Sequence, residues 1–320
     1  MLFRSVKVMT GSFEGCSSLE TIVIPGGLEI IGERLFRDCI SLRNIEIPES
    51  VTVIGKEAFA GCTALSEITI PGGVVEVRES AFAGCTGLRR AVFEEGVESI
   101  GTKAFNGCAN LISVTIPESM KTISSDAFKD CYRLRVIYND SSLQYVFGSY
   151  CKIICKTTDP DPLKITEDGL FAYYCLDGEY YLFAYLADDT DISLPDYLDG
   201  HSYKIEKYAF RNMSNLTSVK LGEGVTHIGE EAFFGCTGLT EVDLRGSVVE
   251  VGYFAYRGCS SIHTVIVGET VEKILTDAFR GCPISTVYDL SEYIETPGPY
   301  NYSNGYLCAN NPTVYVTLPE

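Results

Sequence analysis

Tryptophan is absent from this chain, and only three histidines and four methionines occur among its 320 residues. His201, His227 and His263 fall at unrelated places. No serine or cysteine nucleophile therefore has a base laid out beside it, and no paired-carboxylate or glycine-rich phosphate motif is found either. Cations are scarce: 25 Lys and Arg stand against 43 Asp and Glu, a net charge of −18. Phosphate backbones need a basic footprint, so nucleic acid is excluded as a partner. Anionic membrane surfaces are disfavoured on the same ground. No apolar run approaches the roughly 20 residues of a membrane-spanning helix, and residues 1–8 lack the apolar stretch of about 7–15 residues found in a signal peptide. Neither a catalytic group nor a cofactor is expected, which leaves binding and scaffolding.

What the chain does have is a period of 23 residues. The phrase Ala-Phe-x-Gly-Cys-x-x-Leu-x-x-Ile-x-Ile-Pro recurs with aromatic anchors at Phe13, Phe36, Phe59, Phe82, Phe105 and Phe128, and again at Phe210, Phe233, Tyr256 and Phe279. Self-similarity at this period means a repeat solenoid, in which each unit buries its apolar face only by stacking on its neighbours. Leu42, Leu65, Leu88 and Leu111 lie six residues after their anchors. Pairs such as Ile45/Ile47 and Ile68/Ile70 lie nine and eleven after them, alternating with polar residues as in a short strand. Pro48, Pro71 and Pro117 follow directly and stop the pairing.

The position two residues after the anchor holds only Gly, Asp or Asn (Gly61, Gly84, Asp38, Asp130 and Asn212 among them). These are the residues that tolerate positive φ. The segment before it, 55–59 for instance, is expected to be a single helical turn ended by that left-handed residue. Nine of the thirteen cysteines (Cys16, Cys39, Cys62, Cys85, Cys108, Cys131, Cys236, Cys259 and Cys282) sit three residues after the anchor. A straight ladder of thiols does not give the tetrahedral clustering a metal needs, so no metal site is expected and the thiols serve as small hydrophobes. Cys151, Cys155, Cys175 and Cys308 are left over, with no disulfide among them assignable.

Between Phe128 and Phe210 the period fails. Residues 156–162 carry the prolines and polar residues of a linker, and the chain is expected to divide into arrays 1–158 and 159–320. Asp177-Gly178, flanked by two apolar runs, is a hairpin signal. That hairpin, about 168–187, would cap the second array, with residues 192–195 as the first repeat strand after it. Asp159, Asp161, Asp188, Asp189 and Asp191 suit solvated acidic loops better than a calcium site. Residues 141–155 and 286–320, with Tyr293, Tyr300, Tyr302 and Tyr306, are degenerate terminal turns, and 313–317 is expected to be a last strand.

The Ile-Gly-x-x-Ala-Phe-x-Gly-Cys-x-x-Leu-x-x-Ile-x-Ile-Pro pattern resembles the BspA-like leucine-rich repeats of bacterial surface proteins, over about residues 5–140 and 190–290. The resemblance implies a right-handed leucine-rich-repeat solenoid, with short parallel strands and single helical turns, as two stacked arrays separated by the hairpin cap. It also implies export to the cell surface and attachment to host proteins or other cells. Val8 and Phe13 already match the second half of a repeat. The expectation is a fragment of a longer exported protein, with signal and anchor segments outside it and no membrane insertion within it.

An open strand face is where a partner would sit, because its side chains are ordered by the ladder yet not needed by the core. It is expected to present Thr21, Val23, Asn44, Glu46, Glu67, Thr69, Arg90, Val92, Ser113 and Thr115 in the first array, then Ser218, Lys220, Glu241, Asp243, Thr264 and Ile266 in the second. Of these, Asn44, Glu46, Glu67, Thr69, Arg90, Val92, Thr115, Lys220, Glu241 and Asp243 are the candidate ligand-binding residues. The expected partner is a protein, either host matrix or another cell-surface protein. The alternatives are a passive stalk presenting other domains, and a glycan-binding protein that uses the aromatics of residues 171–185.

Overall fold

Alternating β-branched and polar residues do form the strands, and every pair between repeats is parallel. A computed structural model gives the fold and describes residues 10–143, 151, 153–159, 161–291 and 313–315. The chain divides into two compact units, residues 1–162 and 163–320.

In the first unit the strands Glu67–Ile70, Arg90–Phe93, Ser113–Ile116, Val136–Asn139 and Ile153–Cys155 form one parallel sheet in that order. The strands end at Ile70 and Ile116, directly before Pro71 and Pro117. In the two earlier turns the corresponding residues meet only at one bridge, Thr21 with Asn44. A second parallel sheet, which the repeat pattern did not reveal, joins the two-residue strands Ile30–Ile31, Val53–Ile54, Glu76–Val77, Ser99–Ile100 and Thr122–Ile123.

The expected helical turn is corrected: no helix occurs among the described residues. Residues 55–62 instead form successive tight turns, with the amides of Ala58, Ala60 and Cys62 donating to the carbonyls of Gly55, Glu57 and Phe59. The ten residues two past the anchor all have positive φ, from 57° at Asp38 to 83° at Gly281. A second left-handed column lies two residues before the anchor, at Arg34, Glu57, Ser80, Lys103, Tyr208, Glu231, Phe254 and Asp277. Two reversals within five residues cannot continue an α-helix. They leave the amides of residues 57, 59 and 61 pointing out of the turn, toward the carbonyls of residues 79, 81 and 83 on the next turn.

The anchors stack. Adjacent rings from Phe13 to Phe128 lie 4.9–5.5 Å apart and within 21° of parallel. Phe210, Phe233, Tyr256 and Phe279 continue the same pattern in the second unit. Beside them, Cys39, Cys62, Cys85, Cys108 and Cys131 each donate S–H to the carbonyl of the anchor one turn back, at 3.1–3.2 Å. Cys236, Cys259 and Cys282 do so at 3.0–3.1 Å. At these eight positions the thiol supplies one donor as well as small size and serves an anchor carbonyl inside the core, whereas Met213 fills the same column against the core without one.

Burial pushes the Cys85 thiol from its ordinary 9.0 up to about 12. The unfolded chain then releases this proton near pH 9 while the native state keeps it. Stability from this group is fully present below pH 9 and is lost as pH rises toward 12. The denaturant midpoint is expected to be flat between about pH 7.5 and 8.5 and to fall above pH 9, with a shallower fall in Cys85→Ala. A thiol reagent at pH 8 is expected to label the exposed Cys16 and Cys175 at once and the buried column only at the unfolding rate. Equal labelling of all thiols in the folded chain would refute this.

The second unit opens with a hairpin, Phe171–Leu176 and Glu179–Tyr185, turned at Asp177 and Gly178 with φ of 52° and 81°. Both central residues have positive φ, as a type I′ turn requires. The second hairpin strand pairs in parallel with Tyr203–Ile205, which leads on to Val225–Ile228, Glu250–Val251 and Lys273–Ile274. Phe171, Tyr173, Leu182 and Tyr185 join the core cluster of the repeats, so the hairpin closes that core as expected. Asp191–Ser193 pairs with Ser218–Lys220. Glu241–Asp243, Thr264–Val267, Thr286–Asp289 and Thr313–Tyr315 follow in one further parallel sheet. Cys151, Cys155 and Cys175 are free thiols. Residues 1–8, Tyr293, Tyr300, Tyr302, Tyr306, Cys308, residues 316–317 and most of the stretch 141–152 lie outside the described residues.

Candidate functional site

Two outward rows run across the longer-stranded sheet of the first unit. Register places Glu67, Arg90, Ser113, Val136 and Ile153 in one, and Thr69, Val92, Thr115, Tyr138 and Cys155 in the other. Neighbours along a row are one ladder step apart, about 4.8 Å. Glu67 thus faces Arg90 directly, an opposite-charge pair across the strands. Asn44 and Glu46, one repeat earlier, are exposed.

The face is not equally open along its length. Glu67, Thr69 and Arg90 are exposed and Val92 and Thr115 half-buried, but Ser113 is 3% exposed and Val136 fully buried. Ser113 was expected to present itself and does not. Ile266, expected in the second unit, is likewise buried, at 7%. Strand alternation says which way a side chain points; it does not say what the rest of the chain lays over it. The same rows, carried one repeat further than the sequence reading took them, reach Tyr138, a half-buried aromatic whose hydroxyl donates to Asp161.

Four of the candidate residues meet in one shallow groove. Asn44, Glu46, Glu67 and Thr69, with Glu49 and Glu94, line an open concavity of about 420 Å³. Four carboxylates make it acidic, Glu46 and Glu67 on the outward rows and Glu49 and Glu94 just past the strand ends, and Arg90 faces Glu67 across the ladder. Lys220, Glu241 and Asp243 lie on the corresponding rows of the second unit, Lys220 and Glu241 exposed and Asp243 half-buried. Burial pushes the Asp243 carboxyl up, but the two-pronged contact from Arg245, at 2.9 and 2.5 Å, outweighs it and holds the pKa below the ordinary value.

Most of the aromatics of residues 171–185, which the alternative glycan-binding reading would use, face the core. Phe171, Tyr173, Tyr174, Phe183 and Tyr185 are buried, and only Tyr180 and Tyr181 keep some exposure. The three histidines meet Tyr180, Thr226 and Ser261. No cluster of metal-ligating side chains occurs among the described residues, and no helix among them is long and apolar enough to cross a membrane.

A family model described as the BspA type leucine rich repeat region matches residues 6–135 and 179–306 in six copies. Among solved structures, a leucine-rich repeat protein from Bacteroides ovatus is 27% identical at a TM-score of 0.39, covering 88% of this chain and 81% of its own. A leucine-rich repeat protein from T. pallidum is 26% identical at a TM-score of 0.35, over 68% of this chain and 77% of its own. A leucine rich cell surface protein from Faecalibacterium prausnitzii is 20% identical at a TM-score of 0.40, over 87% and 80%. No curated protein matches the chain.

Proposed function

The chain belongs to the BspA-type leucine-rich-repeat family, and from that premise we propose that it is a non-enzymatic binding module of the cell surface whose first array grips a protein ligand. A binding or scaffolding role is what the family supports; the ligand class and the face are our reading. The observation that carries it is the groove that brings Asn44, Glu46, Glu67 and Thr69 together with Glu49 and Glu94. A backbone fixed by the repeat stack spares the cost of ordering a loop on binding, which leaves only the side chains to be ordered. Their carboxylates fit lysine- or arginine-bearing segments of a partner and speed encounter with it. Exposed charges of this kind are screened by salt, so each contact is weak and many copies on one surface multiply it.

The test is binding of the multivalently displayed chain to a panel of extracellular-matrix proteins and mucins, with the Glu46→Ala, Glu67→Ala, Arg90→Ala triple variant alongside. Saturable binding to a protein, weakened by salt and lost in the variant, is the expected outcome. Binding that survives all three substitutions removes this face from consideration, and no binding to any protein favours the stalk.

A further inference from the structure

The bend edge of the second unit carries two aromatics that the core does not ask for. Tyr253 and Phe254 hold places taken in the first unit by Glu33 and Arg34, Lys56 and Glu57, Glu79 and Ser80, and Thr102 and Lys103. Tyr253 is 49% exposed, and its ring lies 6.5 Å from that of Phe254. The Arg257 guanidinium lies over the Phe254 ring at 5.2 Å. Arg211 and Arg280, in the same column of the repeat, are paired with Glu231 and Asp277. Arg257 forms no ion pair with any carboxylate among the described residues, so its cation is open.

Tyr253 also lines a groove of about 370 Å³ on the short-strand sheet, with Ile205, Ile228 and Leu275. The polar groups around it are engaged: Lys204 with Glu179 at 2.7 Å, Lys207 with Glu230 and Lys273 with Glu250 at 3.8 Å, and Glu206 with the Tyr174 hydroxyl. The groove therefore suits an apolar side chain, which takes nothing from those pairs.

We propose that this edge docks an extended acidic segment of a partner protein, with one apolar side chain seated in the groove against Tyr253 and one carboxylate held by Arg257. Exposed Tyr and Arg are the residues on which interfaces concentrate their energy. The Phe254 ring supports the guanidinium from one side, and its planar fork suits a carboxylate bidentately. The two ring and cation steps place Arg257 within about 12 Å of the Tyr253 ring. At about 3.3 Å per residue that is a reach of two to four residues of extended chain. The chain as a whole is acidic, so selection for a carboxylate has to come from this one cation. A sulfated or phosphorylated polymer needs several open cations in a row, and Arg211 and Arg280 are already closed. A purely apolar segment would leave Arg257 facing no charge.

The full chain, displayed multivalently, is applied to an array of capped octapeptides on a Ser/Thr background, each with one Leu, Ile or Phe and one Glu two to four residues from it, on either side. Gln, Lys and Gly controls replace the Glu and the apolar residue in turn. Glu peptides are expected to bind, and the Gln and Gly versions to bind about tenfold more weakly, the scale of one charge-assisted contact. These comparisons use the unaltered chain, so folding does not enter them. Arg257→Glu should exchange the preference, losing the Glu peptides and taking up the Lys ones, with an unchanged melting curve. The Glu46, Glu67 and Arg90 triple variant should bind the peptides as the parent does, which separates this site from the strand face of the first unit. Binding to no peptide, equal binding of the Glu and Gln versions, or an Arg257→Glu variant with the parent's preference would overturn the proposal. Concentration-dependent self-association in sedimentation, abolished by Arg257→Glu, would also overturn it by making a second copy of this chain the occupant.

Discussion

Phe82→Ala is expected to cost about 3–5 kcal/mol, the range for deleting a fully buried aromatic when the surroundings collapse only in part. Phe82 is fully buried, 5.0 Å from the Phe59 ring and 4.9 Å from the Phe105 ring, within 12° of parallel to both. Its own amide donates to Ala104 at 2.7 Å, and its carbonyl accepts the Cys108 thiol at 3.2 Å. Those backbone ladders hold neighbouring turns at fixed spacing, so the void cannot close by sliding Phe59 onto Phe105. Stability in such an array is a sum of turns and their interfaces, and this substitution weakens two interfaces at once. Urea denaturation checks it; a loss below 1 kcal/mol would mean that the stack repacks freely.

The second large effect is expected at Gly96, in the bend between Arg90–Phe93 and Ser99–Ile100. Its φ is 113°, and a Cβ there would lie 2.1 Å from the carbonyl oxygen of Gly72 on the preceding turn. Both the conformation and the contact exclude a side chain, and the contact is with backbone, which cannot swing aside. Gly96→Ala should therefore cost on the order of 2–4 kcal/mol from strain and forced separation of two turns. Gly15→Ala is the natural comparison: φ is positive there as well, at 72°, but nothing lies within 4 Å of the added carbon. If the two variants melt together, close approach between turns contributes nothing.

The period, the anchor stack, the strand rows and the hairpin were legible because each is written in side-chain type at fixed spacing. The left-handed residues after the anchor were legible for the same reason, since Gly, Asp and Asn mark them. Their counterparts before the anchor were not. Arg34, Glu57, Lys103 and Phe254 are poor markers of positive φ; Arg34 and Glu57 are held there by amide bonds to the carbonyls of residues 56 and 79 on the next turn, and Lys103 by the Asp126 carboxylate, rather than by preference. That column is also what turned an expected helical turn into a chain of tight turns. The short-strand sheet escaped notice because two residues, such as Val53–Ile54, are too few to show a period of two. On the candidate face the direction of each side chain could be read from alternation. The burial of Ser113 and Ile266 could not, since it depends on residues distant in sequence.

The bend ladder gives each array an electrical sense. In the middle turns the amides of residues 57, 59 and 61 all face the following turn, and so do those of residues 80, 82 and 84 and of residues 208, 210 and 212. Every second peptide along this edge therefore points the same way, oxygen toward the amino-terminal turn and hydrogen toward the carboxyl-terminal one. Summed over the stack, these peptides amount to a dipole like that of a helix, built without one and lying across the repeats instead of within them. A repeat joined at the carboxyl end finds hydrogens already aimed at its carbonyls, whereas one joined at the amino end finds carbonyls. The two ends of an array are chemically unlike, and lengthening it by whole repeats preserves that polarity however many are added.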